Sequence, residues 1–214
     1  NIWIKGGTVT ATGGQGSAGI GDGRRNPPAV LPVPKGLLAP SRRIAISGGT
    51  ITAKGGGGAA AIGMGWASGY ERNKGREDGV EIVITDGAVT AEGDNSGAGI
   101  GGGTHSMSKS ITISGGDIYA SGGAGIGCGY GSRMDGGEIT ISGGRVTAIG
   151  QGYGAGIGGG ENGDGGRITI HDGEITATGG QRAAGIGGGA AGQGGAIAMH
   201  GGNVVANSGS SVFG

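Results

Sequence analysis

Aromatic side chains are scarce in this 214-residue chain, because two tryptophans, four tyrosines and one phenylalanine are too few to fill an ordinary globular core. A single cysteine, Cys128, excludes an internal disulfide framework and a cysteine-based zinc site. The chain has only five prolines and no Gly-X-Y period, which excludes collagen despite its 63 glycines. No apolar run approaches the roughly 18 residues that span a bilayer, so we expect no membrane insertion.

Net charge is also lacking, because 15 basic residues are matched by 15 acidic ones. Such a balance provides no broad electrostatic field for nucleic acid or an anionic membrane, and we expect no nucleic-acid partner. The chain begins at Asn1, which fits either a secreted segment whose signal peptide has been removed or a piece cut from a longer protein.

What the chain does have is a repeat, most visible at the second apolar residue of each I-x-I pattern. This residue recurs at Ile4, Ile46, Ile84, Ile113, Ile141, Ile170 and Met199. The later copies are 28 or 29 residues apart, and each contains segments of the types ITISGG, TVTATGG and AGIG. These segments alternate apolar with small or polar residues and end at glycine-rich turns, which is typical of short strands.

Three short strands in about 29 residues predict one coil of a right-handed parallel β-helix. The chain is therefore predicted to form one all-β domain, residues 1–214, of about seven coils. Stacking the coils places charged residues of opposite sign beside each other, which supports the register. The predicted neighbours are Arg43 with Glu81, Lys54 with Glu92, Glu138 with Arg167, and Asp117 with Arg145 and then Glu174.

Two segments interrupt the repeat, at residues 23–43 and 65–79. The first contains all five prolines, and both are predicted to leave the solenoid at the corner after the third strand of a coil. They are interpreted as loop insertions that pack on the solenoid or as a patch that contacts a ligand or partner. The candidate contact residues at this corner are Trp66, Tyr70, Tyr130 and Arg133.

The third strand of each coil has almost no outward side chains in the predicted register. Glycine in mid-strand permits close approach of another backbone, so this glycine face is a candidate interface with an insertion or another protomer. Its principal residues are Gly19, Gly99, Gly125, Gly156 and Gly185.

Motifs for catalysis or cofactors are weak. The G-x-G-x-x-G match at Gly97–Gly102 recurs as a third strand, which argues against a dinucleotide site. The segment at 159–166 nearly matches a calcium-binding repeat and makes Glu161 and Asp164 a weak calcium candidate. No set of catalytic residues converges, so we expect no enzyme activity, no catalytic residue, no cofactor and no other metal site.

Outward threonines form partial columns, for example at Thr10, Thr52, Thr90, Thr147 and Thr176. Such columns suit an ice-binding surface, but the strand propensity of threonine explains them equally well. An ice-binding protein and a polysaccharide-active enzyme are therefore the less favoured functions.

The segments ITISGG, TVTATGG and GAGIGGG together resemble glycine-rich repeat regions of secreted or cell-surface β-helix proteins of Gram-positive bacteria. The resemblance implies an extracellular structural or adhesive module at the cell surface. We expect this module to associate with itself, end to end as a filament, or with flanking coils of a larger protein. The alternative is a carbohydrate-binding module, with glycans as partners.

Overall fold

The computed structural model describes residues 1–24, 42–67, 79–132 and 137–210. Most of the two predicted insertions therefore lies outside the described residues, as do Tyr70 and Arg133. Sixteen strands are described. They are β1 (Ile2–Ile4), β2 (Thr8–Thr12), β3 (Ile20–Gly21), β4 (Arg42–Lys54), β5 (Ile62–Gly63), β6 (Val80–Glu92), β7 (Ile100–Gly101), β8 (Ser110–Ile113), β9 (Asp117–Gly122), β10 (Ile126–Gly127), β11 (Glu138–Gly150), β12 (Ile157–Gly158), β13 (Arg167–Thr178), β14 (Ile186–Gly187), β15 (Ala196–Met199) and β16 (Asn203–Asn207).

These strands form two parallel sheets, which run along the solenoid. The larger sheet has ten strands, with β1-β4-β6-β8-β11-β13-β15 as its path and β2, β9 and β16 paired beside it. The smaller has six strands, in the order β14-β12-β10-β7-β5-β3. The chain is a right-handed parallel β-helix, as the repeat predicts, and each coil contributes its first two strands to the larger sheet.

The first and second strands of several coils run together as one long strand with an irregular corner in the middle. In β11 the register against β13 shifts between Ile141 and Arg145, where Gly144 has a φ of +89°. Glycine adopts this left-handed conformation without the steric cost of a Cβ. The Gly-Gly and Asp-Gly pairs therefore turn the chain from one strand to the next.

The core is a stack of isoleucine, valine and alanine columns, as the alternation predicts. Ile141, Ile170 and Ala148 have no exposed surface, and Val146 is 1% exposed. Neighbouring coils bring like residues together, with Ile141 paired to both Ile113 and Ile170. Because each coil is covered by the next, burial accumulates along the stack.

The predicted charged neighbours are confirmed in register. Three of these pairs form ion pairs: Arg43 Nε to Glu81 Oε2 at 4.0 Å, Lys54 Nζ to Glu92 Oε2 at 2.9 Å, and Arg145 Nε to Glu174 Oε2 at 3.2 Å. A further ion pair joins Arg42 to Asp22, which flank residues 25–41. Exposed pairs contribute little free energy individually, but opposite signs in adjacent coils favour this register over its alternatives.

Candidate functional site

The glycine face is turned into the molecule, so its predicted outward direction is wrong. Gly99, Gly125, Gly156 and Gly185 are buried, and Gly19 of the first coil is half-buried. A Cβ on Gly156 would lie 2.6 Å from the Thr178 backbone nitrogen and 3.0 Å from the Ala148 carbonyl oxygen. The close backbone neighbour is therefore the second strand of the chain's own coils.

The second glycine of each third strand is required by its backbone conformation. Gly158 has a φ of +129°, and the equivalent glycines of the other coils have φ between +129° and +140°. The amide of Ala155 donates a hydrogen bond to the carbonyl of Gly159, at 2.8 Å, so the segment forms a tight arc. Its two glycines thus allow the chain to curve against itself, because a Cβ would obstruct both the arc and its neighbour.

Loops before and after the third strand meet on one side of the solenoid. The backbone N–H of Trp66 donates a hydrogen bond to the Gly16 carbonyl at 2.9 Å. The backbone N–H of Tyr130 donates one to the Ser96 carbonyl at 2.7 Å. Thr104 makes the equivalent bond to Gly58 at 2.6 Å. The structure therefore places Trp66, Thr104 and Tyr130 at equivalent positions on three successive coils.

The aromatic groups on this side are partly covered by neighbours. The guanidinium carbon of Arg24 lies 4.2 Å from the Trp66 ring centroid, a cation–π contact that occupies one face of the indole. Tyr130 packs edge to face with His105, with 5.7 Å between ring centroids. Both Trp66 and Tyr130 are half-buried residues.

Asp94 is a further residue of these loops that was not a candidate from the sequence, and its carboxylate accepts three backbone hydrogen bonds. Oδ1 accepts the backbone N–H groups of Ser96 at 2.9 Å and Gly97 at 2.8 Å. Oδ2 accepts that of Gly58, on the preceding coil, at 2.6 Å. The carboxylate therefore fixes its own loop and joins two coils. An aspartate followed by small polar residues is an Asx-turn signal, which could have identified it.

The calcium candidate has a different role in the structure. Asp164 Oδ1 accepts the backbone N–H of Gln193 at 2.8 Å and thereby links two coils. Within the described ranges, no group of three or more His, Cys, Asp and Glu residues is arranged to hold a metal ion. Among those residues, no third acidic ligand lies with Glu161 and Asp164.

Cys128 lies in the core immediately after its third strand. Burial, with a smaller contribution from the negative charge of Asp164, raises the pKa of its thiol well above the ordinary range. A thiol in this environment stays protonated at neutral pH and is a poor nucleophile. Its burial gives Cys128 a packing role in the core.

The outward threonines form an accessible but mixed surface. Thr147 pairs with Thr176 on one side and with Tyr119 on the other, and Tyr119 is 38% exposed. Val205 continues the same column and is 47% exposed. The regular array that an ice-binding surface would present is therefore interrupted within this column.

The terminal coils leave core positions uncovered. Ile197 and Met199 of β15 are 42% and 51% exposed, whereas Ile168 and Ile170, their partners in β13, have no exposed surface. At the opposite end, Ile2 and Ile4 are only partly buried against the core. Each end of the described solenoid therefore presents an apolar ladder and an open strand edge.

These stacked, three-stranded coils define the class of protein as a parallel β-helix. A family model described as a β-helix repeat matches residues 2–24, 44–66, 82–104, 111–130, 139–161 and 168–190, more than half of the chain. The chain belongs to this β-helix repeat family. No curated protein and no solved structure matches it. The described residues contain no helix long and apolar enough to cross a membrane.

Proposed function

We propose that the protein is a non-enzymatic, extracellular structural or adhesive β-helix that is extended by further coils stacking on its ends. The observation that carries this proposal is the exposure of Ile197 and Met199 at positions that are fully buried in the preceding coil. Another coil placed on β15 would remove both side chains from water, and burial of apolar surface stabilises association.

The two ends are complementary in residue type. Continuing the register of β13 on β15 would place Ile2 beside Ile197 and Ile4 beside Met199. The corner between the first and second strands has three residues in both terminal coils, so the match continues from Val204 to Val9. The added coil would come from a second copy of the chain or from flanking coils of a larger protein.

Stacking of identical copies in this manner is a heterologous contact. Because each added copy exposes the same open end as the last, the assembly grows as a filament rather than a closed ring. The extracellular location and adhesive role are supported by the sequence resemblance to glycine-rich repeats of secreted proteins.

Sedimentation and light scattering over a concentration series test the proposal, with negative-stain electron microscopy to detect filaments. We expect association to increase with concentration, and Met199→Glu to abolish it because a charge would enter the apolar junction. Val205→Glu is the matched control, since Val205 has similar exposure on the same coil but faces outward from the sheet. A parent chain that stays monomeric at high micromolar concentration would rule out self-stacking, as would equal effects of the two substitutions.

A second candidate is binding of extended glycans along the side that carries Trp66, Thr104 and Tyr130. Successive coils are about 4.8 Å apart, so the two aromatic rings lie about two coil steps from each other along the axis. A glycan array with the parent, Trp66→Ala and Trp3→Ala tests this candidate. Trp3 is 59% exposed on another face, so only Trp66→Ala should reduce binding. Equal binding by all three would exclude this site.

A further inference from the structure

Two histidines stack on neighbouring coils at the corner between the first and second strands. The ring centroids of His171 and His200 are 5.0 Å apart, and their planes are inclined by only 13°. The stacked geometry brings two potential metal-binding side chains of adjacent coils together at one corner.

Backbone pairing fixes the positions from which these side chains project. The His200 N–H donates to the Ile170 carbonyl at 2.7 Å, and Ile170 pairs with Met199 immediately before the corner. After the corner, Glu174 pairs with Asn203. The two imidazoles are therefore carried on a corner that is held by strand pairing on both sides.

The ring nitrogens of this pair are available to a ligand. Both side chains are exposed, and within the described chain neither imidazole has a hydrogen bond or ion pair, apart from their mutual stacking. Asp172, the next residue after His171, is also exposed and uses Oδ1 to accept the N–H of Gly173 at 2.8 Å.

We propose that His171 and His200 together bind a late first-row divalent metal ion, Cu²⁺ or Zn²⁺, with water completing the coordination. Neutral imidazole is a good ligand for both ions, and Cu²⁺ is bound most strongly in this series. Metal–nitrogen bonds of about 2.0–2.1 Å require the two ligating nitrogens to lie within roughly 4 Å of each other. The rings must tilt toward each other from the stacked arrangement, and their exposure leaves room for this movement.

The ion would join the last described coil to the one before it. His171 lies at the corner within β13 and His200 follows β15, so a shared ion adds a link at the corner where β15 is exposed on its other side. Binding to the folded state alone stabilises that state by mass action. This inference does not depend on self-stacking or on glycan binding.

Isothermal titration of the 214-residue chain with Zn²⁺ and with Cu²⁺ tests the site. We expect one ion per chain, with an affinity that falls at least tenfold in both His171→Gln and His200→Gln. His105→Asn is the control and should bind as the parent does, because asparagine tolerates the positive φ of 53° at that position.

Hydrogen exchange provides a readout that is local to the two coils. Zn²⁺ should increase the protection of amides in β15 and β16 of the parent but not of His200→Gln. Circular dichroism of the variants without metal checks that the fold is retained. Unchanged affinity in either glutamine variant, or loss of binding in His105→Asn alone, would overturn the assignment.

Discussion

The long sheet and the third strands bury the same kinds of apolar residue in different surroundings. In β11, Ile139 and Ile141 are fully buried while Thr140 between them is partly exposed, so only one face of the strand is covered. In β12, Ile157 is equally buried, but Gly156 and Gly158 on either side of it are buried as well. Protein therefore covers both faces of the third strand.

This difference shows that apolar–polar alternation in a sequence indicates side-chain direction only where one face of the strand meets solvent. Where one face of a strand meets solvent, apolar and polar residues alternate, and the pattern gives the direction of each side chain. Where both faces meet protein, small residues mark the side with the least space. Glycine in β12 therefore indicates close contact with the chain's own second strand rather than an exposed surface.

The substitution expected to have the largest effect is Gly156→Val. A Cβ there would lie 2.6 Å from the Thr178 nitrogen and 2.7 Å from the Gly185 oxygen, and both are backbone atoms that cannot rotate away. We expect a loss of more than about 4 kcal/mol of unfolding free energy, a size that few single substitutions reach. Denaturant unfolding measures the loss, and hydrogen exchange should locate it in the two coils around β12 and β14.

Thr147→Val is the matched control on the long sheet. It introduces the same side chain at an outward position of the same coil, where strand propensity is retained, so the change should stay within about 0.5 kcal/mol. If Gly156→Val were as well tolerated as Thr147→Val, the glycine face would have open space beside it, and its inward placement would be wrong.

Most of the long sheet could be predicted from the sequence. The pairs of Ile141 with Ile170 and of Arg145 with Glu174 follow directly from the repeat spacing, because stacked coils of equal length align equivalent residues. One face of this sheet is solvated, so the alternation also assigns Ile141 inward and Thr140 outward.

The third strand and its loops could not be predicted in the same way. The direction of Gly156 depends on how tightly the arc closes on Ala148, which is a tertiary contact between segments of different type. The bond from Gly58 to Asp94 joins equivalent loops of adjacent coils, but Asp94 stands where the preceding coil has Gly56, so the repeat itself does not predict this acceptor. Repeat spacing aligns like segments with each other, but it does not report where unlike segments touch.

An intermediate effect is expected for Asp94→Ala, which removes the acceptor of three backbone N–H groups at the edge of a third strand. Leaving partly buried donors unsatisfied should cost about 1–3 kcal/mol, measured by denaturant unfolding. Asp86→Ala is the control, because Asp86 is exposed and, among the described residues, accepts a bond only from the adjacent Gly87. Similar losses in the two variants would mean that Asp94 does not join the coils.

The smallest effect is expected on the outer surface of the long sheet, for Arg145→Ala. The side chains of Arg145 and Glu174 are 66% and 62% exposed, so their ion pair at 3.2 Å should contribute only about 0–1 kcal/mol. Arg145→Glu tests the register itself, since it would place three acidic side chains in one column with Asp117 and Glu174. Like charges directly opposite each other are destabilising, so this variant should unfold more readily than Arg145→Ala and recover part of the difference in high salt. Equal stability of the two variants at low salt would show that the column is not in contact.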